Sequence, residues 1–458
     1  MLTGVTEKCA VLALAAARTA LCAWRAKHQS ITIDEASTYR FYVAAPWSGL
    51  YSHYTPNNHL LNSVLARFSL ALLGTSELAL RLPSVIAGFF FMLGVFAVLR
   101  SSVARPVIRW LAFAAIALHP LLLDFSIAAR GYGMGLTLLV WAIYFCQQRR
   151  FRLTALLLTL AAAAQLSMAI PAVAIVAAAI LLARKHPPTR RLAIGVCAAA
   201  IAVCVIGLRV LAMRDYNLGY LTVRESLYSL VFPSTTNREG MFVNAHTPTV
   251  FAEMAIVLAI AGFIVLKTAR LLWRDRSIKL LAPVALLISA ATLFAARVVG
   301  FKYPVDRTGL YLILLFALSW PIAADALRSR AYRGLHILLA CAFIVQFCTQ
   351  FELHTFKLWR FDSDTRRVAL IIARESANKP ANSMEVSAAW IHRRSLDYYR
   401  QTHPIPALRP IQILDPPPMS GYDFYVLNPG AHDPRPDAVH FRVLFSSPDS
   451  GIILAVPR

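Results

Sequence analysis

The sequence predicts a polytopic α-helical membrane protein with a small soluble α/β domain at its C-terminal end. Three observations lead there. The chain has 458 residues, 58% of them hydrophobic, and a mean hydropathy of +0.57, more apolar than an ordinary soluble domain. Its formal charge of +23 comes from Lys and Arg in short clusters between apolar runs. That pattern reads as membrane orientation and excludes the continuous basic face of a nucleic-acid binder. After residue 351 no spanning run remains, and charged residues, Pro and His become frequent.

Apolar runs of spanning length cover approximately 9–25, 82–99, 107–124, 131–147, 152–166, 168–184, 192–212, 249–267, 279–297, 308–325 and 333–351. This predicts about eleven transmembrane helices. The run 152–184 is too long for one crossing and is split by a tight turn at Gln165 to Met168, helped by Pro171. Alternate loops carry the cations, among them Arg100, Arg105, Arg109, Arg149, Arg150, Arg184, Lys185, Lys267, Arg270, Arg328 and Arg330. The positive-inside bias makes that face cytoplasmic. The N-terminus is then cytoplasmic, and Asp34, Glu35, Asp124 and Asp306 lie on the periplasmic side of an inner membrane.

In the first outer region, Leu60 to Leu73 is apolar, but a crossing there would invert every later loop. It is expected to lie along the surface as an interfacial helix. Tyr216, Tyr220, Tyr228 and Phe232 mark a second outer segment packed at the interface. Arg18 interrupts the first apolar run and argues against a cleaved signal there. The expected division is a transmembrane domain over 1–351 and a periplasmic domain over 352–458. In the latter, Asp364 to Ala377 and His392 to Gln401 read as helices. Met384 to Trp390, Ile411 to Leu414, Tyr422 to Leu427, Phe441 to Phe445 and Ile452 to Val456 read as strands. The seven cysteines show no paired spacing, which indicates neither a disulfide framework nor a zinc site.

Four outer stretches carry candidate chemistry: Asp34-Glu35; Asn57-Asn58-His59; Asp124 with Ala129-Arg130-Gly131-Tyr132; and Phe301 to Thr308, which holds Lys302 and Arg307. A carboxylate at the membrane surface can take a proton from an acceptor hydroxyl or amine, and nearby cations can hold a departing phosphate. Such a pair suits a reaction on a lipid-linked phosphosugar. The plainer readings stay open beside it: solvated acids or a helix cap for Asp34-Glu35, snorkelling for the cations, a hydrogen-bonded structural imidazole for His59. The chain has no GxxxxGK[ST] loop, no HExxH and no nucleophile elbow, which argues against an ATP-driven pump or a hydrolase. No cofactor is indicated, and assistance by a divalent metal is left open.

The order Asp34-Glu35, then Pro56-Asn57-Asn58-His59, then Gly74-Thr75-Ser76-Glu77-Leu78-Ala79-Leu80-Arg81-Leu82-Pro83-Ser84, then Ala129-Arg130-Gly131-Tyr132 resembles the GT-C superfamily of membrane glycosyltransferases. The closer resemblance is to its bacterial branch of protein O-mannosyltransferases, lipid A aminoarabinose transferases and RgtA/B/C/D-like proteins. It covers roughly residues 30 to 135, and Tyr303 to Tyr311 more loosely. It implies a polyprenyl-phosphate-linked sugar donor, membrane lipids as surroundings, a periplasmic acceptor of unknown kind and no nucleic acid. It further implies Asp34 as catalytic base, Glu35 as its support, and Arg130 with Tyr132 at the lipid phosphate. Lys302 and Arg307 are weaker candidates for that task, and Asn58 and His59 stand where many relatives carry a His-Pro-Pro or His-Lys-Pro-Pro segment. The alternative is a lipid-linked-sugar transporter or flippase without transferase activity.

Overall fold

The computed structural model describes residues 4–52, 57–182, 219–235, 248–274, 277–298, 300–403, 405–412, 417–431 and 433–458. Every expected span on these residues is helical; the run 192–212 and Tyr216 lie outside them. The helices are α1 (Gly4–His28), α2 (Ile33–Thr38), α3 (Leu60–Leu73), α4 (Glu77–Ser102), α5 (Pro106–Leu118), α6 (Pro120–Asp124), α7 (Gly131–Gln147), α8 (Phe151–Ala164) and α9 (Ala169–Leu182). There follow α10 (Val223–Thr235), α11 (Pro248–Arg274), α12 (Leu281–Val298), α13 (Leu310–Asp325) and α14 (Arg330–Thr349). Among the described residues, six helical stretches are long and apolar enough to cross a membrane: Gly4–His28, Glu77–Ser102, Val250–Arg274, Ile278–Val298, Asp306–Asp325 and Arg330–Thr349.

Local chemistry sets the boundaries. α4 starts where the Ser76 hydroxyl accepts from the Ala79 N–H at 3.1 Å, which satisfies one orphan donor of the first turn. The run 152–184 turns at Gln165, whose φ of −156° leaves the helical region before a 3-10 turn at Leu166–Met168. The run 107–124, expected as one helix, breaks instead at His119-Pro120, because proline supplies no N–H and begins a new helix at its first position.

Arg18 explains how that break sits inside an apolar bundle. Its side chain is buried, with Nε donating to the Ala117 carbonyl at 3.0 Å and Nη2 donating to the Leu122 carbonyl at 3.2 Å and Ser126 Oγ at 3.0 Å. Carbonyls released by a helix break are costly in a medium without water unless another group donates to them. The arginine that interrupts the first apolar run thus holds the α5–α6 corner.

Beyond α14 the chain forms α15 (Thr365–Glu375), β1 (Val386–Ala388), α16 (Trp390–Thr402), β2 (Phe424–Leu427), β3 (Phe441–Ser446) and β4 (Ile453–Pro457). The sheet order is β1-β2-β4-β3, with β1 parallel to β2 and the other pairs antiparallel. Both expected helices and four of the expected strands are present. Of the fifth, Ile411 and Gln412 are not in a strand, and 413–414 lie outside the described residues. The change of composition at 351 is no break in packing. Ile31, Ala36, Ala66, Leu80 and Ala129 share one buried cluster with Val368, Ile372, Leu396 and Tyr399, and Phe356, Trp359 and Phe361 join the core of the spanning helices.

Candidate active site

The site is built on α2. Thr32 caps this short helix: its hydroxyl accepts from the Glu35 N–H at 3.2 Å, and Glu35 Oε2 accepts from the Thr32 N–H at 3.0 Å, a capping box. Glu35 points inward, where Arg81 Nε and Nη2 lie 2.9 and 2.6 Å from its two oxygens. The Ala129 N–H donates to Oε1 at 2.7 Å. Arg81 also donates to the carbonyls of Ala26, Gln29 and Ser30. Glu35 and Arg81 together lock the end of α1, α2, α4 and the segment before α7. Burial pushes the Glu35 carboxyl up, but the Arg81 charge and hydrogen bonds outweigh it and hold it below the usual range.

Asp34 is the neighbouring residue, about 100° around the helix, and so faces elsewhere. Its side chain is 17% exposed. Oδ2 receives the Trp359 indole N–H at 3.1 Å and lies 3.4 Å from Arg307 Nη2. Among the described residues, the hydrogen bond and ion pair of this carboxylate both fall on Oδ2 and none on Oδ1. Burial pushes this carboxyl up; the charges of Arg130 and Arg307, with the indole bond, outweigh it and lower it to about 2.

Arg130 precedes α7 and is buried. It donates to the Asp34 carbonyl at 3.3 Å, to Thr38 Oγ1 at 3.2 Å and to Asn57 Oδ1. Its Nε has no partner among the described residues. The Arg130-Gly131-Tyr132-Gly133 segment is wedged in place: a Cβ on Gly131 would overlap the Ala164 carbonyl, and one on Gly133 the Phe125 carbonyl. Only glycine permits that approach. Tyr132 lies beside Arg307, and its ring lies 5.0 Å from that of His59 and 5.1 Å from Phe125. Arg307 sits in a 3-10 turn after Asp306, whose φ of +30° is a left-handed value uncommon outside glycine.

His59 is buried beside this group. Burial pushes its imidazole well below the usual range, and the Arg130 charge adds to the effect, so the ring is neutral. Among the described residues no three His, Cys, Asp or Glu side chains come together as a metal ion would need.

The structure therefore gathers Asp34, Arg130, Tyr132, His59 and Arg307, with Glu35 as the adjoining bolt. Asn58 is not part of the group. Its amide donates to the Leu50 carbonyl at 3.0 Å and its oxygen accepts from Ser63, while Asn57 is the amide that reaches Arg130. Lys302 stands earlier on the Arg307 loop, and no described hydrogen bond or ion pair joins it to Asp34. Asp124 pairs with Arg25 at 2.7 Å and accepts from the Lys357 N–H at 2.7 Å, deep in the fold. Trp359 carries no signal in the sequence that marks it as part of the site. It lies far along the chain in a Lys-Leu-Trp-Arg-Phe-Asp stretch with no motif around it.

A cavity of about 310 Å³ lies among α5, α10, α11, α13 and α14, lined by Ile108, Ala115, Leu230, Phe316, Trp320 and Phe343 among others. Asp34 and Arg130 are not part of its lining. It approaches the Arg307 turn through α10: Leu230 lines it and packs on Gly309, and Ser229 Oγ on the same helix accepts from the Asp306 N–H at 3.0 Å.

No protein-family model and no curated protein matches the sequence. Solved structures do. ArnT from Cupriavidus metallidurans in its apo state aligns at a TM-score of 0.55 and 11% identity, covering 98% of both chains. The chain has the fold of ArnT. The form of ArnT bound to undecaprenyl phosphate aligns at a TM-score of 0.55 and 13% identity, over 99% of this chain and 98% of that one. The archaeal oligosaccharyltransferase AglB from Archaeoglobus fulgidus aligns at 0.49 and 12% identity, over 88% of this chain and 64% of that chain. The architecture expected from Asp34-Glu35 and the Gly74 to Ser84 run agrees with the likeness to ArnT over nearly the whole length.

Proposed function

We propose that this chain is a membrane glycosyltransferase that moves a sugar from a polyprenyl-phosphate donor to an acceptor on the periplasmic face of the inner membrane. The observation that carries the reading is the Asp34 carboxylate, whose Oδ1 takes part in no hydrogen bond among the described residues, flanked by the Arg130 and Arg307 guanidinium groups. The binding of undecaprenyl phosphate to ArnT, which shares the fold, supports the donor class. The apolar cavity beside α10 suits a prenyl chain whose phosphate lies toward Arg307.

The chemistry is a direct displacement. The acceptor hydroxyl or amine attacks the anomeric carbon, its proton passes to Asp34 Oδ1, and the bond from that carbon to the phosphate oxygen breaks with its electron pair on the phosphate. Arg307 and Arg130 receive the growing charge, and the configuration inverts. A carboxyl held at about 2 is a weak base in the resting site. A bound phosphate shares the Arg307 charge, which raises the basicity of Asp34 at the moment a proton must be taken. Donor binding and base activation are thereby coupled. Glu35, with both oxygens committed to Arg81 and backbone donors, holds the site and does not react.

The reading is tested with the purified full chain and polyprenyl phosphates carrying hexoses or pentoses, measuring released polyprenyl phosphate. Release from at least one such donor is expected. Transfer from a nucleotide sugar with every lipid donor inert contradicts the proposal.

A further inference from the structure

The segment 353–363 joins the last spanning helix to the C-terminal domain, and it is fastened along its length to the elements that carry Asp34. Arg25 donates to the carbonyls of Leu353 and Thr355, and Gln29, just past the end of α1, does the same. The Lys357 N–H bonds Asp124. Asp362 Oδ2 accepts the Ile33 N–H at 2.7 Å, which fixes the first residue of α2, and Ser30 Oγ donates to the Ser363 carbonyl at 2.7 Å. At the centre stands Trp359, 2% exposed. Its backbone leaves the 3-10 geometry of its neighbours, with φ −129° and ψ 39°. Its ring packs edge-on against Phe125 at 5.4 Å, the Arg307 guanidinium lies 5.8 Å from the ring centroid, and its N–H reaches Asp34 Oδ2.

We propose that Trp359 is a positioning residue: the C-terminal segment uses its indole N–H to pin Asp34 Oδ2, so that Oδ1 alone is presented to the acceptor. A carboxylate rotates freely about its terminal bond unless one oxygen is held. Arg307 at 3.4 Å is a looser restraint than the indole, and it is the group that a phosphate would draw away. The indole has no such competing ligand. On this account the C-terminal domain belongs to the active site, since it supplies both an acceptor for the first N–H of α2 and the restraint on its acid. The catalytic consequence rests on the proposed transferase function; the restraint itself does not.

Two measurements on the full chain test the inference, one of them independent of any activity. Dicyclohexylcarbodiimide modifies protonated carboxyl groups, and mass spectrometry locates the adduct at Asp34. Trp359→Phe keeps the aromatic packing and removes the N–H. It is expected to raise the rate of Asp34 labelling about tenfold, one unit of acidity. Trp359→His, which keeps a ring N–H, is expected to label near the native rate. Thr365→Ala removes a bond to Asp362 in the same region without touching the indole, and is expected to stay within about twofold of native. In the transfer assay Trp359→Phe lowers kcat about tenfold with donor KM unchanged. Native labelling in Trp359→Phe, or equal acceleration in Thr365→Ala, overturns the inference. Absence of transfer by the native chain counts against the transferase reading alone and leaves the labelling to decide.

Discussion

Arg81 and Glu35 form a two-bond ion pair with both side chains fully buried. A buried charge whose partner is removed is strongly destabilising, because the survivor has neither water nor a counter-charge. Glu35→Gln and Arg81→Met are each expected to lower stability by about 3 kcal/mol or more, read as a fall in the unfolding midpoint in detergent. Asp34→Asn, one residue away, is expected to change the midpoint far less. Equal losses for the two neighbours would mean that they do not divide structural and chemical work as described.

Arg18 gives a second expectation. Arg18→Met withdraws the donors to Ala117, Leu122 and Ser126 at the α5–α6 corner, which is expected to cost about 2 kcal/mol. Arg18→Lys returns one donor and recovers part of it. Protease cleavage near His119-Pro120 and the unfolding midpoint measure the effect. Native behaviour of Arg18→Met would show that the corner needs no side-chain support.

Two groups beside the site both make stability fall on acidification, in separate pH windows. His59 has a folded pKa below its ordinary value of 6.5, so the unfolded chain binds a proton that the folded chain refuses. Stability therefore falls as the pH drops below that value. His59→Gln is expected to flatten the dependence between about pH 8 and about pH 5, seen in unfolding midpoints. Asp34 has a folded value of about 2 against an ordinary 3.8. Its contribution of about 2 kcal/mol is full above 3.8 and is lost only as the pH falls through 2. A midpoint that rises on acidification to about pH 5 would contradict the neutral His59.

Much of this arrangement was legible in the sequence because it is local. The Leu60 to Leu73 helix and the turn at Gln165 each depend on a few consecutive residues. Asp34-Glu35 and Arg130 stood out because charge near an apolar run is costly. What escaped depends on distant residues meeting. Nothing near Glu35 announces that its partner is Arg81, and the indole on Asp34 comes from Trp359 across most of the chain. Asn57 and Asn58 look alike in a sequence, and only the backbone path decides which one reaches Arg130. The His119-Pro120 break was hidden inside an uninterrupted apolar run, where proline alone did not settle whether the helix bends or restarts.

Asp34 is proposed to receive the acceptor's proton. The most direct measurement is release of polyprenyl phosphate from a lipid-linked sugar by Asp34→Asn beside the native chain, both folded and at equal amounts in the same membrane mimic. The expected result is loss of release by a factor of about a thousand or more, with the unfolding midpoint close to native. Release by Asp34→Asn at the native rate would contradict the account.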